Sequence, residues 1–301
     1  MRIHVGVVHP MLFPETIRGE GPIVETVTRI ATDPFFGAIE VSWIKDPEVR
    51  REVARILELG HLDVVFCAGP PILIDKMDLN SEREGARKEA IEALKGLIDQ
   101  ADLLGSKIFV LCSGPDPNEG KREEARRRLV DSLRELCEYV EGKGLDLAIS
   151  LEYFDRDVDK RLLIGPSQEA AEIAEAVRRH HGNFGLTVDL SHLPLLGERS
   201  EEALKAVEDH LIHVHIGNCV LEKESPAYGD KHPRFGIKGG EVDVKELREF
   251  LEALRQVGYF EKRVPTSLPV VSFEVRPLPG ECPELVMASA KRVLKDALSI
   301  V

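Results

Sequence analysis

The stretch FGLTVDLSHLP, Phe184 to Pro194, begins as an apolar β-strand and ends in a carboxylate, Asp189, with an imidazole, His192, three residues later. A buried strand that finishes in titratable groups needs a physical reason, because desolvating a charge without a partner is costly. Working outward from this strand, short β-rich runs recur near residues 3–8, 38–43, 62–67, 107–112, 145–153, 184–189, 211–216 and 270–275. Amphipathic helical patterns alternate with them near 20–31, 46–59, 81–104, 121–142, 167–181, 199–209, 243–257 and 283–299. Ser81 with Glu84 reads as a helix-capping pair, and Gly60, Gly105, Gly144, Gly182 and Gly258 read as helix ends. Strict strand–helix alternation implies parallel strands, and eight such units match the length of a (β/α)8 barrel. The expectation is a single (β/α)8 TIM barrel spanning residues 1–301. A doubly wound open sheet fits less well, because VHPMLFPE follows the first strand where a Gly-rich phosphate loop would stand.

In a barrel, strand residues alternate between the interior and the helix layer. Leu147, Ile149, Leu151 and Tyr153 oppose Ala148, Ser150 and Glu152, and Leu186 and Val188 oppose Thr187 and Asp189. Ile212, Val214 and Ile216 oppose His213 and His215, and Val271, Phe273 and Val275 oppose Ser272 and Glu274. Each polar set therefore finishes at the C-terminal end of its strand, where barrel active sites lie, with Glu152, Asp189, His215 or Glu274. Three carboxylates aimed at one place repel each other, and a divalent cation removes that repulsion. These four residues are the expected metal ligands. Oxygen donors with one nitrogen suit Mn²⁺ first, then Mg²⁺, Co²⁺ or Zn²⁺.

Other groups are expected near the mouth. His192 reads as a substrate-binding residue. Glu40, on the interior parity of the second strand, reads as a substrate contact or the partner of a lysine or arginine. Asp230 and His232 read as a mouth contact or a second cation site. His213 reads as a core histidine one layer deeper. The long stretch 218–242 after the seventh strand is expected to cover bound substrate.

At these residues the chain resembles the xylose isomerase-like barrel superfamily of sugar isomerases and epimerases, which also includes endonuclease IV. The resemblance rests on SLEYFDRD, VDLSH, HVHIGN and SFEV at strands five to eight, and on DKHPRFGIKGGEVDVKELREFLEALRQVGY between the last two. The ketose 3-epimerase branch implies Glu152, Asp189, His215 and Glu274 as metal ligands, the two glutamates as acid and base, and His192 as a substrate contact. Two partners of that branch are absent: Val158 stands where an acid is expected and Leu221 where an arginine is expected. Asp230 and His232 match the Asp-x-His pair of endonuclease IV, but the ends of strands two to four, VSWIKD, FCAGPP and FVLCSGP, offer no histidine.

Bulk composition narrows the classes. A net charge of −13 over 301 residues argues against a nucleic-acid partner. No run approaches the roughly 20 apolar residues of a membrane helix, and MRIHVGVVHP lacks a secretory pattern. Five scattered cysteines form no CxxC pair and read as reduced thiols, so the expected location is the cytoplasm. The combined reading is a metal-dependent isomerase or epimerase of a small sugar or sugar acid. It would work through an enediolate with Glu152 and Glu274 exchanging the proton, and the chain could form a homo-oligomer. An inosose-type keto-polyol dehydratase is the alternative. An abasic-site endonuclease and a non-catalytic sugar-binding barrel are more distant ones.

Overall fold

A computed structural model of the chain describes residues 2–299. Its strands are β1 (His4–Val7), β2 (Ala38–Val41), β3 (Asp63–Cys67), β4 (Ile108–Cys112), β5 (Ala148–Glu152), β6 (Phe184–Asp189), β7 (Leu211–Gly217) and β8 (Val270–Glu274). All neighbouring strands run parallel, in the order β1-β8-β7-β6-β5-β4-β3-β2. A parallel bridge between Val8 and Glu40 joins β1 to β2, which completes the circuit. This is the expected (β/α)8 TIM barrel.

The major helices are α2 (Ile23–Ala31), α3 (Pro47–Gly60), α5 (Glu84–Leu103), α6 (Arg122–Lys143), α7 (Ser167–Arg178), α9 (Ser200–Val207), α10 (Val244–Gln256) and α11 (Pro283–Leu298). Short helices α1 (His9–Leu12), α4 (Gly69–Asp75) and α8 (His192–Leu196) follow β1, β3 and β6. They stand at the ends from which loops enter the mouth. Their four to seven residues are too few to write a helical period into the sequence. Asp46 caps α3 by accepting from the Glu48 and Val49 amides, with Pro47 in the first turn. The Ser81–Glu84 capping pair does not form. Arg83 is the cap residue of α5, and Ser81 Oγ accepts from its amide instead. A full capping box occurs at Asp243 and Glu246, at the start of α10.

The core divides into two layers, as parity predicts. Outward-facing residues such as Ile149, Leu151, Leu186, Val188, Val214 and Phe273 pack against the helices. A separate inner cluster of Val65, Ile108, Val110, Ala148 and Ile212 fills the barrel interior. Ile212 was expected on the outer layer. The β6–β7 register shifts between Leu186 and Thr187, so Leu211 faces Leu186 while His213 faces Thr187. The extra residue is Ile212, and the irregularity turns it inward. There its side chain fills the space where a Cβ on Gly185 would lie, 2.7 Å away. Gly6 plays a similar part on β1, since a Cβ there would sit 2.4 Å from Ser272 Oγ. Ser150 and Thr187 share a hydroxyl hydrogen bond of 2.6 Å inside the barrel.

Candidate metal centre and active site

Strands β5, β6, β7 and β8 are consecutive in the barrel, and each offers a polar side chain at its C-terminal end. Glu152, Asp189, His215 and Glu274 each provide a ligand atom, and these atoms lie within 4.8 Å of one another. The residues are 4%, 1%, 0% and 8% exposed, so water does little to screen them. His215 Nδ1 lies 3.0 Å from Glu152 Oε1 and 2.8 Å from Glu274 Oε2. Asp189 Oδ1 accepts from the Ser191 amide at 2.7 Å, while its Oδ2 has no hydrogen-bond partner. Glu274 Oε2 is likewise buried without one. Buried carboxylate oxygens without hydrogen-bond partners beside an imidazole nitrogen form a donor set of the kind a divalent cation can take. The residues present therefore fit a divalent ion.

The layer beneath orients this set. Glu40 is fully buried, and its Oε1 lies 2.7 Å from His213 Nε2 and its Oε2 3.0 Å from His215 Nε2. It meets two imidazoles and no lysine or arginine. With Nε2 committed to Glu40, Nδ1 faces Glu152 and Glu274, and its proton is the one a cation at that point would replace. Burial resists ionisation of Glu40, but the two histidines outweigh it and hold the carboxyl far below its ordinary range. Burial also opposes charge on His215, yet Glu40, Glu152 and Glu274 together raise its pKa well above normal. His213 is the inward core histidine that parity predicted.

A second group adjoins the first at Asp189. His192, Asp230 and His232 are all buried. His232 Nε2 lies 2.8 Å from Asp230 Oδ1, and His192 Nε2 lies 3.4 Å from the same oxygen. Asp189 Oδ2 is 3.8 Å from His192 Nε2 and 3.6 Å from His232 Nδ1. Asp189, His192 and His232 thus form a second candidate cation cluster. Burial works against charge on both histidines. Neighbouring carboxylates, Asp230 first, nevertheless raise His192 to about 10 and His232 to about 9. His192 Nδ1 is tied to the Tyr153 carbonyl at 2.9 Å, and its ring packs 4.2 Å from Phe154.

Sequence reasoning missed Lys160. Its ammonium lies 2.7 Å from both the carbonyl and Oδ2 of Asp230. Asp155, fully buried, shapes the turn by accepting from the Val158, Asp159 and Lys160 amides. Val158 supplies only an amide there, and Leu221 is 39% exposed on the rim. The long 218–242 stretch is tied down at several points, with residues 221–224 left exposed. Asn218 bridges to the Arg234 carbonyl and the Val242 amide, and Asp159 accepts from the Asp230 amide. His232 has φ 50, a conformation costly for a residue with a Cβ. The Arg276 amide holds it by donating to the His232 carbonyl at 2.6 Å. Gly217 permits this crowding, since a Cβ there would meet Glu274 O at 2.7 Å and His232 Nδ1 at 3.0 Å. Trp43 donates its indole N–H to the Ile17 carbonyl. The thiols of Cys67 and Cys112 end β3 and β4. Burial, followed by nearby carboxylates, raises both, Cys112 to about 12.

Eight parallel strands with buried acids and imidazoles gathered at their C-terminal ends define a barrel of the class that builds its sites from strand ends. The chain belongs to the xylose isomerase-like TIM barrel family, which it matches over residues 33–267. It is 26% identical over 180 residues to an inosose isomerase of Bacillus subtilis (strain 168), a match covering 60% of this chain and 60% of that protein. A second inosose isomerase, from Halalkalibacterium halodurans, is 26% identical over 159 residues, covering 53% of this chain and 54% of the relative. The chain thus spans little more than half the length of the curated relatives it matches. Among solved structures, a D-tagatose 3-epimerase-like protein superposes with a TM-score of 0.75 at 21% identity, covering 99% of this chain and 98% of that one. An IOLI protein with a bound zinc atom superposes with a TM-score of 0.73 at 20% identity, covering 99% and 98%. At these identities the two structures establish the shared fold. Among the described residues no helix is long and apolar enough to cross a membrane.

Proposed function

We propose that the protein is a divalent-metal-dependent isomerase or epimerase acting on a small sugar or sugar acid. The observation that carries the reading is the strand-end set of Glu152, Asp189, His215 and Glu274, with buried oxygens of Asp189 and Glu274 open to a common point. These four residues would hold the ion, and manganese, magnesium, cobalt or zinc suits three carboxylates and one imidazole. When bound, the ion supplies Lewis acidity, polarising a carbonyl and offsetting negative charge that develops on the substrate. The names of the curated relatives, inosose isomerases, support an isomerase in preference to a dehydratase.

The chain's own groups then carry the proton. Glu152 and Glu274 come from β5 and β8 and flank His215 Nδ1 from two sides. One glutamate takes the proton from the carbon beside the substrate carbonyl, giving an enediolate, and the other returns one. Return to the same carbon on its opposite face makes an epimer, and return to the neighbouring carbon makes an aldose–ketose isomer. His215, steadied by Glu40, stays fixed between the two acids. We assign Glu40 a positioning role, because both its oxygens are engaged beneath the site. His192, Asp230 and His232 form the wall on the Asp189 side, where they would orient substrate hydroxyls. Asp230 is anchored there by Lys160.

The test is a screen of keto-sugars, inososes and keto-acids with manganese-loaded protein in deuterated water. Deuterium should enter beside the carbonyl, without loss of water from the substrate, and a chelator should stop it. Water loss as the main outcome would replace the reading with dehydration. Exchange indifferent to the chelator would remove the metal from it.

A further inference from the structure

Among the described residues, every half-buried cation on the rim of the site has an ion-pair or hydrogen-bond partner except one. Lys160 binds Asp230 at 2.7 Å, Arg234 binds Glu281 at 3.0 Å, Arg156 binds Glu169 and Lys231 lies 3.3 Å from Asp159. Arg276 is half-buried and, among the described residues, its side chain has neither an ion-pair nor a hydrogen-bond partner.

Its position is specific. Arg276 follows Glu274 by two residues, and two residues of extended chain span at most about 7 Å. Its amide fixes the carbonyl of His232 in the left-handed conformation. Its side chain lines a cavity of about 590 Å³ together with Lys231, Glu15 and the rigid rings of Pro14, Pro226 and Pro277. Glu281 also borders this cavity, but its two oxygens are committed to Arg234 and the Leu278 amide. Glu15 is the exposed carboxylate there. A guanidinium held half out of water and short of acceptors suits an oxyanion, which it can grip through two parallel N–H bonds.

We propose that Arg276 is a specificity-determining residue that binds a carboxylate or phosphate on the substrate, so that the preferred substrate is an anionic sugar derivative. The inference rests on the isomerase reading for the word substrate, but the anion site itself does not depend on turnover. On this reading the reacting carbons would sit at Glu152 and Glu274, and the anionic group would reach Arg276 two residues beyond Glu274, on the wall of the proline-lined cavity. Lys231, a half-exposed cation on the same wall, adds to the local field.

The experiment compares unreactive polyols, glucitol against two anions that each differ from it at one terminal carbon: gluconate, with a carboxylate at C1, and glucitol 6-phosphate, with a phosphate at C6. Each is titrated calorimetrically into manganese-loaded protein. At least one anion should bind about tenfold or more tighter than glucitol, as a charge-assisted bidentate contact implies. Whichever anion it is separates a carboxylate site from a phosphate site. Arg276→Gln should erase that preference while leaving glucitol binding unchanged, and Arg276→Lys should restore only part of it. Equal binding of all three polyols, no measurable binding of either anion, or a preference that survives Arg276→Gln would each overturn the proposal. Deuterium exchange run in parallel keeps the two readings apart. Anion preference without exchange on any substrate overturns isomerisation and leaves the anion site standing. Exchange on neutral sugars with no anion preference does the reverse.

Discussion

Glu40 Oε2 lies 3.0 Å from His215 Nε2, joining residues 175 positions apart across the inside of the barrel. The contact turns the other nitrogen of His215 toward Glu152 and Glu274. A carboxylate behind a ligating histidine fixes its tautomer and raises its basicity. Glu40→Gln keeps the shape but removes the charge. Divalent-ion affinity should fall about 10- to 100-fold, the usual effect of losing such a partner. Competition with a chromogenic chelator measures this, and unchanged affinity would show that His215 needs no orienting carboxylate.

The strand-end cluster is expected to take one divalent ion per chain, with ligand bonds of about 2.0–2.3 Å. In the neighbouring cluster burial opposes charge, yet the carboxylates, Asp230 first, raise His192 and His232 toward the protonated form, which disfavours a second ion there. Elemental analysis after dialysis gives the count. Free ion at about 100 times its dissociation constant should stabilise the fold by roughly 2.7 kcal/mol, visible as a raised melting temperature. Asp189→Ala should abolish both effects. A crystal soaked in metal that shows no ion between these four side chains would refute the site.

Glu152→Gln and Glu274→Gln each keep an oxygen donor and nearly the same volume while removing a base. Both variants should retain some metal and lose at least about 10²-fold in turnover, the low end for acid–base catalysis. For an epimerase the two losses should differ by direction, with one variant still washing deuterium out of a single epimer. Near-normal turnover by both metal-loaded variants would leave the proton to another group, with His232, 3.7 Å from Glu274, and His192, 3.9 Å from Glu152, as the candidates.

His192 is fully buried, bonded to the Tyr153 carbonyl and packed on Phe154. Truncation therefore affects more than substrate binding. His192→Ala should lose activity and also destabilise the fold by about 1–3 kcal/mol, through the unmet Tyr153 carbonyl and the space left behind. Chemical denaturation gives the second quantity. Full stability alongside lost activity would show that the buried contacts contribute little.

What the amino-acid order determined by itself was whatever repeats locally. Alternation of apolar and polar residues along β5, β6, β8 and the C-terminal half of β7 marked which side chains face the axis, because a strand repeats every two residues. That was enough to bring Glu152, Asp189, His215 and Glu274 to one end of one barrel. The pairing of distant groups was not written there. Glu40 was legible as inward-facing, but its histidines lie 173 and 175 residues further along. The Lys160–Asp230 contact spans 70 residues between two loops that have no period to read. Ile212 broke the parity rule because the β6–β7 pairing slips by one residue, and slippage belongs to two strands at once. Arg276 continued the inward series of Ser272 and Glu274 and could have been noticed on that ground. Only the folded chain decided that no acid reaches it, since charge matching depends on through-space distance and not on sequence spacing.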